Sequence, residues 1–391
     1  MEFFQKDYPT EKELIYAACA RIADPVRTIT KDASEKAKQK GDAFAAEIAA
    51  RLVSDFEKAG DQMVHVSTFL VMNDTVFVTY YANTKDPAED PKNQTARFVY
   101  APIDDLESKI FIDLQTTGHV VGDKVIDRVY DTILMQKDED TIFVMWTART
   151  EENYYRFYCP FTVSTKTLGE IGVHKFKMGE VVNDLSKSGI RSALAENGLL
   201  YKEMSDNDIG IMQKQSYRTE NGVRYCYSGL YCGQFTCIIK SADLITWEYV
   251  AMPDFINESQ WENATYVIGD KVYYFVRQLE NNPCGFLTAY DLITGKWDAP
   301  VEIEDCQSRG DFIVYRGGLY LIHAPIDREH IGIVKINTAE IAKSEVVLQA
   351  DMKGSCFYPF VQYFAGEELA MSYTVSRKHI RLAQFDLNKY L

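Results

Sequence analysis

The chain has 391 residues, 46% of them hydrophobic, so it can bury a sizeable core and is long enough for one large β domain or two ordinary ones. A formal net charge of -15 argues against nucleic acid and anionic membranes as partners, which need a basic face, but leaves room for a small anion held by local arginines. Aromatic residues make up 13%, including 25 Tyr and 21 Phe, a composition that favours strands over helical bundles.

The opening MEFFQKDYPTEKEL carries early acidic charges and no continuous apolar run. No signal peptide or membrane span is expected there, which implies a cytoplasmic protein. Residues 10–22 and 31–58 read as helices separated by Pro25, the second with Phe44, Ile48, Leu52 and Phe56 at helical spacing. Gly60 closes this part, so residues 1–60 are expected to form an N-terminal helical extension and residues 61–391 a β domain. The apolar stripe of the second helix reads as packed on its own domain, with homodimerisation as the alternative.

From Met63 onward the pattern becomes short runs of period two, punctuated by Asn73-Asp74, Asn221-Gly222, Gly269-Asp270, Arg316-Gly317-Gly318 and Gly366-Glu367. Such runs without long helices between them predict an all-β architecture. Asp-Leu pairs recur at Asp105-Leu106, Asp243-Leu244, Asp291-Leu292 and Asp386-Leu387, best in SADLITWE and YDLITGKWD. In each, the Asp carboxylate should accept backbone N–H bonds in a turn while Leu and Trp pack between sheets. The repeat predicts a β-propeller with six blades, or five, whose inner strands begin near His65, Arg128, Met212, Glu262, Arg309 and Tyr358. An N-terminal strand is expected to close the last blade.

Inner-strand entrances of a propeller converge on one axial mouth, which gathers His65, Arg128, Asp131, Gln213, Glu262, Arg309, Asp311 and Tyr358 as candidate site residues. Glu262 opens one strand and Arg277 ends the next, so the turn at Gly269-Asp270 brings carboxylate and guanidinium to the same side. This arrangement suits a tuned catalytic acid or anion grip, and equally a structural salt bridge. A carboxylate beside the Tyr358 phenol would ease its use as a nucleophile. His65 is either a satisfied polar core residue or a general base. Trp261 is placed by its neighbour Glu262 to stack on a ligand. Cys226, Cys232 and Cys237 read as buried thiols, with a zinc site as the less favoured option. No phosphate loop, dinucleotide fingerprint or nucleophile elbow is present, so no cofactor or metal is expected.

The order of Glu262, an Arg one hairpin later (Arg277), an Arg opening the next blade in QSRGDFIVY (Arg309) and a Tyr opening the last in SCFYPFVQY (Tyr358) resembles the sialidase-like superfamily of six-bladed propellers. SADLITW resembles a degenerate form of that superfamily's Asp-box, and also a turn of five-bladed arabinanase-type glycosidases. The resemblance implies an exo-acting glycoside hydrolase on a short anionic or modified oligosaccharide, with Tyr358 as nucleophile activated by Glu262 and with Arg277 and Arg309 gripping an anion. Asp90 in the loop NTKDPAEDPKNQ would be the acid/base, with Glu89 and Asp86 as competitors. HVSTFLV places His65 where the superfamily carries a first arginine, so the clamp is incomplete. A lyase that uses His65 and Tyr358 for β-elimination on a uronic acid, and a non-catalytic glycan-binding propeller, remain open.

Overall fold

Tight turns and period-two strands fold this chain into a succession of antiparallel meanders. In the computed structural model the residues described are 21–151, 153–199, 209–233, 235–256, 260–278 and 283–391. The helix expected over residues 10–22 falls almost wholly outside them; its last two residues, Arg21–Ile22, form a short parallel strand with Phe255–Ile256.

The hairpin turns fall where the dipeptides predict. Met72 pairs with Thr75 across Asn73-Asp74, Glu220 with Val223 across Asn221-Gly222, and Ile268 with Lys271 across Gly269-Asp270. Tyr315 pairs with Gly318, and Ala365 with Glu368. Asn73 and Asp74 have φ of 50° and 55°, the left-handed pair whose twist matches the flanking strands.

Among the described residues, six sheets of four or more strands result. The first runs Met63–Met72, Thr75–Asn83, Gln94–Pro102 and Ile110–Thr116; the second is built on Arg128–Gln136, Thr141–Thr150 and Asn153–Thr162. The third sets Ile209–Ile211 and Ser216–Glu220 beside Val223–Cys232, followed by Phe235–Ser241 and Thr246–Ala251, and extends to Lys175–Met178 and Val181–Asp184. The fourth runs Gln260–Ile268, Lys271–Gln278, Cys284–Asp291 and Val301–Glu304, and the fifth runs Asp311–Tyr315, Gly318–His323, His330–Ile336 and Glu345–Asp351. The sixth is Phe357–Ala365, Glu368–Val375, His379–Phe385 and, outermost, Leu52–Asp55. The inner strand of the sixth sheet packs on that of the first, which closes the ring of an all-β propeller.

The Asp-Leu turns work as their chemistry requires. Asp243 Oδ1 accepts from the N–H groups of Ile245 and Thr246 at 2.8 and 2.7 Å, and Asp291 Oδ1 from those of Ile293 and Thr294 at 2.9 and 2.8 Å. Leu244 with Trp247 and Leu387 are buried in two different core clusters, so each turn pins its own inter-sheet layer. Cys226, Cys232 and Cys237 lie buried on adjacent strands of the third sheet, and burial pushes the Cys226 thiol up to about 12.

Residues before 60 differ from the sequence expectation. The helix spans only Glu35–Ala50, capped by the Ser34 side chain, which accepts from the Ala37 N–H. Its buried stripe of Ala37, Gly41, Phe44 and Ile48 packs on the fifth and sixth sheets, with Phe44 edge-on to Phe385 at 5.2 Å. Leu52 and Phe56 continue the helical spacing by coincidence, because the chain turns into the strand Leu52–Asp55 against His379–Phe385 and buries Phe56 among the strands of the first and sixth sheets. Arg27–Ile29 likewise joins the fourth sheet beside Val301–Glu304. A ten-residue helix, Lys187–Glu196, capped by Ser186, is an insertion the sequence reading missed.

Gly41 is the point of closest approach, since a Cβ there would stand 1.8 Å from the Gln349 carbonyl oxygen. Gly41→Ala is expected to lower the unfolding free energy by about 3 kcal/mol, because the helix must lift off its strand. An unchanged midpoint in urea would contradict this docking.

Three buried histidines give the fold an acid limit. Burial lowers His174 to about 3 and His323 to about 4, while burial and the charges of Arg377, Arg328 and Arg309 hold His65 well below its ordinary range. In the unfolded chain each takes a proton below about pH 6.5, and in the fold it does not. Stability is therefore full above that pH and falls as pH drops, by about 2 kcal/mol each for His174 and His323 at pH 5, with His65 acting in the same direction. Urea titrations at pH 7 and pH 5 should show this loss, and His323→Gln should reduce it; pH-independent stability would refute the assignment.

Candidate functional site

Four inner strands carry an irregularity at the same level. Pairing shifts between His65 and Thr68, Tyr130 and Ile133, Gln260 and Asn263, and Phe357 and Phe360. An extra residue in a strand bends it and re-aims its side chain. Val66, Asp131 and Tyr358 adopt φ of 51°, 45° and 53° there, a left-handed conformation that costs roughly 1–3 kcal/mol for non-glycine residues and clusters at functional sites.

These bulges assemble a buried chain of alternating charges. Arg277 Nη1 donates to Glu262 Oε2, and Arg309 donates to Glu262 Oε1 from Nε at 3.1 Å and from Nη2 at 2.9 Å. Arg309 Nη2 also meets Asp131 Oδ1 at 2.5 Å, and its Nη1 meets Gln213 Oε1 at 3.2 Å. Arg156, on the second sheet, closes the line on Asp131, whose Oδ2 is also approached by the Tyr231 hydroxyl at 3.4 Å. Three guanidiniums thus face two carboxylates, with Glu262 only 5% exposed. Burial pushes the Glu262 carboxyl upward, but the Arg309 and Arg277 charges outweigh it and hold the group below the ordinary carboxylate range.

Tyr358 lies over this network, its ring 4.9 Å from the Arg309 guanidinium carbon and its hydroxyl interacting with Arg277. Its backbone N–H donates to the buried Ser308 hydroxyl at 3.2 Å. Burial and the Glu262 charge raise the phenol against the opposing pull of Arg277, Arg309 and Arg328, so the hydroxyl keeps its proton at neutral pH. The His65 ring stands edge-on to Tyr358 at 4.9 Å, to Phe357 at 5.4 Å and to Tyr81 at 5.7 Å, and its buried Nδ1 has no partner among the described residues.

Of the residues read from sequence, Glu262, Arg277, Arg309, Asp131, Gln213, Tyr358 and His65 come together. Asp311 does not: it is fully buried, salt-bridged to Lys214 at 3.0 Å and accepting from the Val361 N–H at 2.9 Å, so it pins the strand that carries Tyr358. Arg128 turns to the Tyr154 hydroxyl at 3.3 Å, outside the Glu262 network. The Trp261 side chain lies outside the described residues. Asp90 uses both oxygens within its own loop, accepting from the Lys92 N–H at 3.0 Å and from Asn93 Nδ2 at 3.2 Å. Its neighbour Glu89 instead accepts from the Tyr81 hydroxyl at 2.5 Å and pairs with Arg377, which places that carboxylate beside the His65 wall. Asp86 caps the loop through the Ala88 N–H.

Sequence reasoning missed Lys214, Arg156, Arg328 and Arg377. Charged residues inside strands of otherwise buried pattern were the available signal for Arg156, whereas Arg328 and Arg377 sit in turns that carry no period. Among the described residues, the one cluster with metal-ligating geometry is Asp55, Glu57 and His379 on the sixth sheet. Its atoms are already engaged, His379 Nδ1 with Glu57 at 2.7 Å and Asp55 with Arg381 Nε at 3.1 Å. No described helix is long and apolar enough to cross a membrane.

No protein-family model and no curated protein sequence matches the chain. In three dimensions its fold is similar to that of sialidase propellers, with about one residue in nine identical. It is similar to the Trypanosoma rangeli sialidase in complex with sialic acid, with a TM-score of 0.53 and 12% identity over 94% of this chain and 59% of that one. It is also similar to the Hadza microbial sialidase Hz136, with a TM-score of 0.57 and 11% identity over 85% of this chain and 67% of that one. The chain thus spans only 59% of the length of the trypanosomal protein.

Proposed function

We propose that this chain is a carbohydrate-active enzyme built as a six-bladed propeller, each of the six large sheets counting as one blade, and that it removes a terminal sugar from a short anionic or modified oligosaccharide by hydrolysis. The observation that carries the reading is Tyr358: a protonated phenol displayed on a left-handed bulge at the axial mouth, beside an ionised Glu262 that two arginines hold in place.

In this reading the Glu262 carboxylate draws the phenolic proton as the oxygen attacks the anomeric carbon, and the leaving oxygen takes a proton from Glu89, which must first gain it from solvent because it rests as a carboxylate paired with Arg377. A water that Glu89 deprotonates then attacks the anomeric carbon, the bond to the Tyr358 oxygen breaks, and Glu262 returns the phenolic proton to it. Arg277 and Arg309 hold Glu262 ionised and oriented, and they also meet Gln307, Gln213, Asp131 and Tyr358. The excess of guanidinium over carboxylate in a chain of net charge -15 favours an anionic substrate.

A second reading rests on the 4.9 Å contact between His65 and Tyr358. A neutral imidazole with an unpartnered nitrogen can abstract the proton next to a uronic carboxylate, giving β-elimination. Incubation with uronic-acid, sialic-acid and neutral oligosaccharides separates the two. New reducing ends without ultraviolet absorbance support hydrolysis; absorbance from a new C=C bond supports elimination; binding without turnover would leave a lectin-like propeller.

A further inference from the structure

We propose that Lys214 and Asp311 are positioning residues for Tyr358: the pair takes hold of both backbone polar groups of Val361 and so fixes the bulge that presents the phenol to Glu262. The effect on turnover rests on Tyr358 being the nucleophile of the proposed hydrolysis, whereas the placement of its ring does not. Lys214 lies in the break between Ile209–Ile211 and Ser216–Glu220, where the inner strand of the third sheet is interrupted. From there its Nζ donates to the Val361 carbonyl on the sixth sheet, which is not the third sheet's neighbour in the ring, and meets Asp311 Oδ2 of the fifth sheet at 3.0 Å. The same Asp311 oxygen accepts from the Val361 N–H at 2.9 Å. Phe357–Ala365 is an edge strand of its sheet among the described residues, and the pair occupies its open side at Val361.

Val361 follows Tyr358 closely in the chain, and the pairing shift that makes the bulge lies between Phe357 and Phe360. One short segment ties the bulge on both sides. Ser308 Oγ accepts from the Tyr358 N–H at 3.2 Å and Asp311 holds Val361, while Arg309 between them holds Glu262. These ties keep Tyr358 from relaxing out of its φ of 53°. The Lys214 ammonium also lies 4.5 Å from the centre of the Phe360 ring, so it grips the residue before Val361 as well. A charge pair is a costly filling for this space: both groups are buried, and burial lowers the Lys214 ammonium and raises the Asp311 carboxyl against the pull of each on the other. Apolar side chains of similar volume commonly stabilise a fold as well as a buried ion pair does. Here they would leave the Val361 N–H and carbonyl without these partners, and the bulge without its downstream tie.

Incorporation of 3-fluorotyrosine into the full chain lets fluorine NMR follow Tyr358, whose resonance is the one that Tyr358→Phe removes. Lys214→Met keeps the packing on Phe360 and removes the donor to Val361, but leaves Asp311 as a buried unpaired charge. Lys214→Met/Asp311→Asn carries no such charge, so its urea midpoint should recover most of what Lys214→Met alone loses. If the pair only stabilised the fold, the Tyr358 resonance and turnover would recover with it. A positioning role predicts instead that the resonance of the double variant stays shifted from wild type, and that its kcat is about tenfold to a hundredfold lower with KM within about twofold. Arg316→Ala, in an exposed turn of the fifth sheet, should change none of these. A Tyr358 resonance at its wild-type position in the double variant overturns the inference, whether or not the protein turns over. A wild-type kcat in the double variant, where Tyr358→Phe is inactive, overturns it as well. A shifted resonance together with full activity of Tyr358→Phe would sink the nucleophile alone and leave the placement standing.

Discussion

Glu262→Gln is expected to reduce turnover about a thousandfold and, at the same time, to lower the unfolding free energy by about 3 kcal/mol. Both effects follow from one geometry. Glu262 is buried, and its two oxygens receive donors from two arginines that are themselves buried. Removing its charge leaves Arg309 with Asp131 as its remaining carboxylate and leaves Arg277 with none among the described residues. A neutral amide can accept a hydrogen bond but cannot offset two guanidiniums out of water, and breaking a buried pair from one side is the costly direction. Thermal or urea unfolding measures the second effect independently of any substrate. A variant of wild-type stability would mean that solvent reaches the network and that Glu262 is not buried.

Tyr358→Phe should have the complementary signature. It removes one oxygen and keeps the ring that packs on Arg309 and His65, so stability should move by no more than about 1 kcal/mol while turnover falls at least about a thousandfold. The double variant carries the sharper information. If Glu262 acts through the phenol, adding Glu262→Gln to Tyr358→Phe should cost little further activity, because groups that act as a unit are not additive. Fully additive losses would separate the two residues into independent roles.

Much of this architecture can be read from short-range chemistry. Asn73-Asp74 and Asn221-Gly222 each specify a two-residue hairpin through their tolerance of positive φ, and Asp243 and Asp291 fold their own turns by accepting the next N–H groups. The meeting of Glu262 and Arg277 follows from one such turn midway between them. What escaped the sequence depends on distant partners. The N-terminal strand expected to close the last blade is present as Leu52–Asp55, but its place escaped, because the spacing of Phe44, Ile48, Leu52 and Phe56 reads as continuous helix and its partner strand lies more than three hundred residues later. Asp311 and Asp131 look alike at inner-strand entrances, yet a bulge turns Asp131 to Arg309 while Lys214 holds Asp311 in the flank. Glu89 and Asp90 are adjacent in one acidic loop, and only the folded positions of Tyr81 and Arg377 decide which of them reaches the His65 wall.

The most direct measurement is acid quenching of the purified protein during turnover of an oligosaccharide that it cleaves, followed by peptide mass spectrometry of the segment containing Tyr358. A glycosyl adduct on Tyr358, absent from an inactive Tyr358→Phe protein, is the result expected of a phenolic nucleophile served by Glu262. Sustained cleavage by Tyr358→Phe with no adduct in either protein would contradict it and move the chemistry away from the tyrosine altogether.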